Sequence, residues 1–382
     1  MRIAIDATIV RSQNTGTGFY IINLITGLLN ANTDNEFIIF GDKDIIDKLV
    51  HVNKKNLSIE NVKFKSRISR VFWQLFVLSF KLKKMQINIL HSTNYITPLF
   101  KFNLKVLVTI HDLTFFLFPE KFTITKRLFF KIMVPVFIKR ADEIIAASEN
   151  TKKDILKFFK IPSQKVAVTF ESYPAYYNSD INKSDSMLVL NKYGIIKSYF
   201  LFVGMIEPRK NILSILKAFI ELDEELEEDL VIVGKKGWYY SEIEQFMGNI
   251  KDKKLKNKII FTGFVSEMDL VSLYQNATIF LYPSFYEGFG IPPLEAMVCG
   301  VPVITSNTSS LPEVVGDAAI KINPYDYLEL KEAIKMLKNN PQKRAEMSEK
   351  GKEQSKKFSM DKFAENTINV YSKVILKHEY SI

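Results

Sequence analysis

Residues 277–316 read ATIFLYPSFYEGFGIPPLEAMVCGVPVITSNTSSLPEVVG. Thr278–Tyr282 is a short apolar run of β-branched and aromatic residues, which predicts a buried strand. Pro283-Ser284 ends it. Glu287-Gly288-Phe289-Gly290 follows as a loop whose two glycines let the backbone approach a partner closely. Pro292 and Pro293 lack N–H groups and suit a helix start. Leu294, Met297 and Val298 give that helix an apolar face, and Gly300 is its expected C-cap. Val301–Thr305 is the next strand. A strand-loop-helix-strand unit presents backbone N–H groups at a helix N-terminus, where anions bind, phosphate above all. Glu287 and Glu295 flank the loop. A carboxylate beside a phosphate is costly unless it accepts hydrogen bonds from something else, and sugar hydroxyls are suitable donors. On spacing alone, the stretch also fits a plain βαβ unit with a structural glycine loop.

Working outward, the chain has 382 residues, which favours two domains over one. Its 47% apolar content supports large cores. Cys299, the single cysteine, cannot form an internal disulfide and fits a reducing compartment as a small buried hydrophobe. The opening MRIAIDATIV enters a strand directly and lacks a signal-peptide pattern. The apolar run Val71–Phe80 is too short to span a bilayer. The net charge of +10 is uneven: residues 1–180 hold 26 Lys and Arg against 15 Asp and Glu. Basic residues at 54–84 and 121–140 alternate with Phe, Trp, Leu and Ile. That mixture points to an anionic membrane surface and away from nucleic acid.

Arg2–Ala7 is a strand, and residues 8–18 form a loop ending Thr15-Gly16-Thr17-Gly18 before a helix at Phe19–Leu29. Gly16 and Gly18 could admit a phosphate, or serve an ordinary turn. Glu36–Phe40 is a second strand. Asp42-Lys43-Asp44 after it has the look of a metal-binding pair but reads as a solvated loop. Residues 71–84 form an amphipathic helix with a basic end. Lys105–Ile110 is a strand whose C-terminal end delivers His111-Asp112 to the side where α/β ligands bind; a core histidine is the alternative. Pro135 should kink or break the helix Phe122–Arg140. Residues 171–197 are polar and read as an interdomain connection; Asp180–Ser184 lacks the glycine and glutamate of a calcium loop. YFLFVGMIEPRKN opens a second domain at Tyr199, with a turn at Gly204 and a helix beginning near Pro208. Arg209 and Lys210 then fall in the first turn, where the dipole disfavours cations unless an anion offsets them.

The string EGFGIPPLEAMVCGVPVITSNTSSLPEVVGDAA resembles the Glu-x7-Glu signature of retaining GT-B-fold glycosyltransferases of family four, the group 1 type. The resemblance extends over most of the chain through VTIHDLTFFLFPEKF, VGMIEPRKN and FSMDKFAENTINVY, and its general look is mannosyltransferase-like. It implies an α/β fold of two Rossmann-like doubly wound domains facing across a cleft. The expected divisions are 1–175, a linker at 176–198, a donor-nucleotide domain at 199–357, and a terminal helix at 358–382 that crosses back to the first domain. Arg209 and Lys210 are implied to bind the donor diphosphate, Gly18 to face it, and Gly16 and Gly204 to belong to the donor site. His111 is implied to contact the donor sugar near its anomeric carbon. Glu287, with the N–H groups of Phe289, Gly290 and Ile291, would take sugar hydroxyls and phosphate, Gly288 giving them room. Glu295 would hold the ribose, and Val265 would meet the base through its backbone. Met205 stands where some relatives have an arginine, so the set of cations departs from the pattern.

The expected activity is transfer of a hexose, mannose favoured, from a nucleoside-diphosphate sugar to a glycan or lipid-linked acceptor in surface-polysaccharide synthesis. No cofactor and no metal are expected, and the front-face mechanism of such relatives asks for no general base. The expected location is the cytoplasm, peripheral at the inner face of the cell membrane. The alternatives are a sugar-nucleotide epimerase of the same fold and a non-catalytic sugar-nucleotide or membrane-surface binding protein. A nicotinamide dehydrogenase is disfavoured by the lack of GxGxxG.

Overall fold

The computed structural model describes residues 1–11, 16–31, 33–50, 55–179, 181–237 and 240–379. Thr15, Lys54 and Asp180 lie outside them. The chain divides into two compact units, Met1–Pro174 with Phe358–Ile382, and Ala175–Lys357.

The first unit is built on seven parallel strands: β1 Arg2–Asp6, β2 Glu36–Gly41, β3 Leu57–Asn61, β4 Ile89–Ser92, β5 Lys105–Ile110, β6 Glu143–Ala146 and β7 Val166–Val168. Their order is β3-β2-β1-β4-β5-β6-β7. Strand alternation assigns the two faces. Ile3, Ile5, Ile89, Leu107 and Ile145 point one way, into a core shared with the helices Gly16–Asn30 and Met360–Glu379. Ala4, Leu90 and Val106 point the other way, against Leu78 and Leu82. On that same face, Val108, Ile110 and Ile144 meet Val134 and Ile138 of the helix Ile124–Arg140. Burying a side chain of this size contributes about 1.5–3 kcal/mol.

Several local expectations change. Pro135 sits inside an unbroken helix, Ile124–Arg140. Residues 67–84 are helical throughout, but Trp73–Val77 is a π turn. The edge strand β3 lies inside the basic stretch. Asp42 is not a loop carboxylate: it caps the short helix Lys43–Leu49 by accepting from the Asp44 N–H, and Lys63 pairs with both Asp42 and Asp44. Gly16 and Gly18 belong to the first turn of their helix and not to the preceding loop.

The second unit carries six parallel strands, β8 Tyr199–Val203, β9 Asp229–Val233, β10 Ile259–Gly263, β11 Ile279–Tyr282, β12 Val303–Ser306 and β13 Ala319–Ile322, in the order β10-β9-β8-β11-β12-β13. The polar stretch read as a linker belongs to this unit. Its helix Lys183–Lys192 packs on the helix Glu267–Gln275, where Lys192 and Tyr193 both reach Asp269. Buried Tyr177 and Ile195 supply apolar anchorage that the composition concealed. Among the described residues, no helix is long and apolar enough to cross a membrane.

The ends of β8 and β9 meet through glycines. Gly234 has φ +149°, and a Cβ there would lie 1.9 Å from the Gly204 carbonyl oxygen. That oxygen belongs to backbone and cannot move aside like a flexible side chain. Gly234→Ala is expected to cost about 3 kcal/mol or more. Thermal unfolding checks this, and an unchanged midpoint would contradict it.

Candidate active site

In the second sheet the strand order reverses between β8 and β11. In open α/β sheets ligands bind beyond the C-terminal ends of the strands at such a point. Both chain segments leaving these two ends carry charged side chains. After β8, Gly204 turns the chain, and its position is 3.8 Å from the Lys210 Cε when measured to an added Cβ. Pro208–Lys210 is a single 3-10 turn, Asn211 is left-handed with φ 57°, and the α-helix begins only at Ile212. Arg209 and Lys210 thus precede the helix and do not occupy its first turn. Asn211 fixes this break by donating to the carbonyls of Pro283 and Pro324.

After β11 the chain brings Glu287 to these cations. One carboxylate oxygen accepts from Lys210 Nζ at 2.7 Å and from the Ser284 hydroxyl. The other accepts from Arg209 Nη1 at 2.6 Å. Arg209 is fixed further by Glu207 and by the Tyr286 carbonyl. Lys210 also donates to the Tyr282 hydroxyl, which leaves its third ammonium hydrogen for another acceptor. All three charged groups are largely buried. Burial would push Glu287 up, but the charges of Arg209 and Lys210 overcome it and hold the carboxyl at about 2. The cations therefore already have a carboxylate partner in Glu287, the residue expected to meet sugar hydroxyls.

The glycine loop is pinned from the segment after β12. Ser309 accepts from the Glu287 N–H, and the Ser310 hydroxyl bonds the carbonyls of Glu287 and Phe289. Gly290 has φ +127°, a backbone state that favours glycine. The helix Ile291–Val298 follows at once, with Leu294 N–H bonded to the Gly290 carbonyl. Pro292 and Pro293 have no N–H, so the donors at this helix start reduce to those of the loop and Ile291.

Glu295 lies one turn along, buried, accepting from the Tyr274 hydroxyl at 2.9 Å. Burial pushes its carboxyl up to about 7, against the hydrogen bonds of Tyr274 and Tyr177. The two glutamates of one motif are therefore shifted in opposite directions, Glu287 down by its two cations and Glu295 up by burial. Val265 is buried just after β10, before Ser266 caps the helix Glu267–Gln275. Cys299 is half-buried at the helix end.

His111 belongs to the first unit, at the end of β5. One ring nitrogen faces the Glu171 carboxylate at 2.8 Å and the other the Thr93 carbonyl at 3.0 Å. The Thr93 carbonyl only accepts, so the nitrogen facing it carries a proton, and a second proton on the nitrogen facing Glu171 would give the ring a positive charge. Burial opposes this charge, yet Glu171 and the Thr93 carbonyl raise the imidazolium's pKa above its ordinary value. Tyr20 packs edge-on at 4.6 Å. Glu171 escaped the sequence reading because it is 60 residues away. Among the described residues, no group of three or more His, Cys, Asp or Glu side chains is arranged to hold a metal.

Against known proteins, the sequence model described as glycosyl transferases group 1 matches residues 193–354, and that described as glycosyltransferase family 4 matches residues 14–169. The chain belongs to the group 1, family 4 glycosyltransferases. It is 29% identical to O-antigen chain mannosyltransferase B of Escherichia coli over 97% of this chain and 99% of that one. It is also 29% identical to the O-antigen chain mannosyltransferase RfbU of Salmonella typhimurium, over 87% and 90%. The solved structure of Anabaena HepE with UDP-glucose superposes with a TM-score of 0.75 at 16% identity, covering 98% of this chain and 100% of that one. Each unit of this glycosyltransferase has the doubly wound parallel sheet of the GT-B fold.

Proposed function

We propose that this glycosyltransferase moves mannose from a nucleoside-diphosphate sugar to a glycan or lipid-linked acceptor in surface-polysaccharide synthesis, retaining the anomeric configuration and using no metal. The observation that carries the reading is the Arg209–Lys210–Glu287 cluster at the β8/β11 reversal, next to the helix start at Ile291. The bond between the anomeric carbon and the diphosphate oxygen breaks as the acceptor oxygen bonds to the same face. The acceptor's proton passes to the departing phosphate oxygen. The leaving diphosphate gains charge in this step. Preorganised Arg209, Lys210 and backbone N–H groups stabilise that charge without reorganising. Glu287 serves by holding both cations in place, and its carboxylate edge remains the motif's candidate contact to sugar hydroxyls. Glu295 is the ribose contact and Val265 the base contact. Gly18 and His111 are the first unit's candidates, with the His111 ring held by Glu171 and the Thr93 carbonyl. The names of the two enterobacterial relatives support mannose and O-antigen-type glycans, and HepE's bound UDP-glucose supports a nucleotide-sugar donor. The excess of basic residues in positions 1–180 supports a peripheral place on the anionic inner face of the cell membrane.

The test is a panel of GDP- and UDP-sugars with EDTA present, following donor consumption. One hexose donor is expected to be consumed, with release of the nucleoside diphosphate. Strict dependence on Mn²⁺ or Mg²⁺ would overturn the metal-free scheme. Conversion of the donor into an isomeric sugar nucleotide would identify an epimerase.

A further inference from the structure

Two helices of the first unit cover the same sheet face: residues 67–84 bury Leu78 and Leu82 against it, and Ile124–Arg140 buries Val134 and Ile138. They share a seam in which Leu75 and Phe137 are buried with Val71, Phe129 and Met133 packed around them. Directly opposite their sheet-facing residues, both helices present apolar side chains to solvent at intervals of four. On the first, these are Ile68, Phe72, Phe76 and Phe80, with Ile68 83% exposed. On the second, they are Ile124, Leu128, Ile132 and Val136, with Ile124 80% exposed.

A run of four-residue steps drifts around an ordinary α-helix, whose turn is 3.6 residues. In the first helix the π turn Trp73–Val77 widens the local turn and keeps Phe72, Phe76 and Phe80 closer to one line. Phe80 extends the surface onto the loop between β4 and β5, where Phe100 and Phe102 lie 5.9 and 5.4 Å from its ring. Aliphatic and aromatic side chains in two parallel rows are too many to be the scattered apolar residues of any surface. The edges of the rows are basic. Arg67, Lys83 and Lys84 border the first, with the Lys83 ammonium 4.8 Å from the Phe102 ring, and Lys126, Arg127 and Lys131 border the second.

We infer that these two rows are the membrane-docking surface of the enzyme. The phenylalanines and aliphatic residues enter the headgroup boundary of an anionic bilayer, and the bordering cations pair with its phosphates. The inference rests on the peripheral membrane location proposed above and adds which side chains make it. Charge complementarity selects the occupant. An apolar face rimmed by lysine and arginine matches a layer with anionic headgroups over acyl chains. A second copy of the chain would oppose one basic rim to another.

The experiment is cosedimentation of the full chain with vesicles of phosphatidylcholine, with and without phosphatidylglycerol, at low and high salt. Wild type is expected to bind only with phosphatidylglycerol, and more weakly in salt. Phe72→Ser/Phe76→Ser/Ile132→Ser, all exposed in the folded protein, is expected to bind at least about tenfold more weakly at both salt levels, with unchanged circular dichroism and unfolding midpoint. Lys83→Glu/Lys84→Glu is expected to lose the salt-sensitive part only. In a Phe76→Trp variant the indole emission should shift to the blue on vesicles. Absence of wild-type binding at low salt would overturn the membrane location and this surface together. Equal binding by the serine variant would overturn the surface while leaving the location standing. A change in sedimentation of the serine variant without a change in vesicle binding would assign the rows to self-association and overturn the inference.

Discussion

Glu287→Gln is expected to lower kcat by about 100-fold or more and to destabilise the second unit by about 3 kcal/mol. The residue is a buried carboxylate with Lys210 on one oxygen and Arg209 on the other. Glutamine keeps the volume and one acceptor but presents its amide to a cation where a charged oxygen stood. Alanine would be a poorer probe. It would leave two buried cations without their partner, at a cost of about 3–5 kcal/mol, and lost folding would masquerade as lost catalysis. Because Glu287 is held at about 2, it contributes no titration to activity at ordinary pH. Its folded pKa lies below its unfolded one, so its stabilisation is present above the unfolded value of about 4.3 and is lost as pH falls through 2. Steady-state kinetics with thermal unfolding of the same sample checks the expectation. Turnover within a few-fold of wild type in a folded Gln variant would show that the cations do not need this carboxylate.

The second large effect concerns Glu295. Its folded pKa is raised to about 7, so the folded chain binds a proton more readily than the unfolded chain does. The sign is opposite to that of Glu287. Stability is full below the unfolded value of about 4.3 and declines as pH rises to and through 7, by about 4 kcal/mol in all. Glu295→Gln, which carries no charge at any pH, is expected to unfold at a higher temperature than wild type at pH 8 and at a similar one at pH 5. Donor recognition has the reverse requirement. Ribose hydroxyls donate better to the carboxylate than to the acid. The donor's diphosphate, being esterified on both sides, does not titrate here. The donor KM is therefore expected to fall about tenfold between pH 6 and pH 8 in wild type, and to be flat and high in Glu295→Gln. Stabilisation with weaker donor use is the mark of a functional carboxylate kept at a cost to the fold. A Gln variant with the wild-type pH slope would remove Glu295 from the ribose.

The features legible in the sequence were those written locally. The strands β8 and β11, the glycines after them and the two-proline helix start all lie within a few residues of their own signals. The motif from Glu287 to Glu295 carried the family resemblance, and both family models match the chain. Pairings across the sheet were not legible. Arg209 and Lys210 looked like cations in want of an anion because Glu287 is 77 or 78 residues further on, across the β8/β11 reversal. The same distance effect hid Glu171 from His111. Two errors came from treating single residues as decisive. Pro135 was expected to kink or break a helix; it does not break it, because its neighbours Val134, Phe137 and Ile138 are buried and hold the helix through it. Pro208 was expected to start one, but left-handed Asn211, held by two carbonyls, delays the start to Ile212. Composition alone hid that residues 176–198 belong to the second unit, because only Tyr177 and Ile195 of their apolar side chains are buried while Met187, Leu188 and Ile196 are exposed.

We propose that Lys210, with Arg209, stabilises the charge of the departing nucleoside diphosphate. The most direct test is kcat for Lys210→Met in EDTA with the donor that wild type prefers. Methionine keeps the apolar stem and removes the ammonium. A fall of about 100-fold or more in a folded variant, with a smaller change in donor KM, is the expected result. A kcat close to that of wild type would contradict the account.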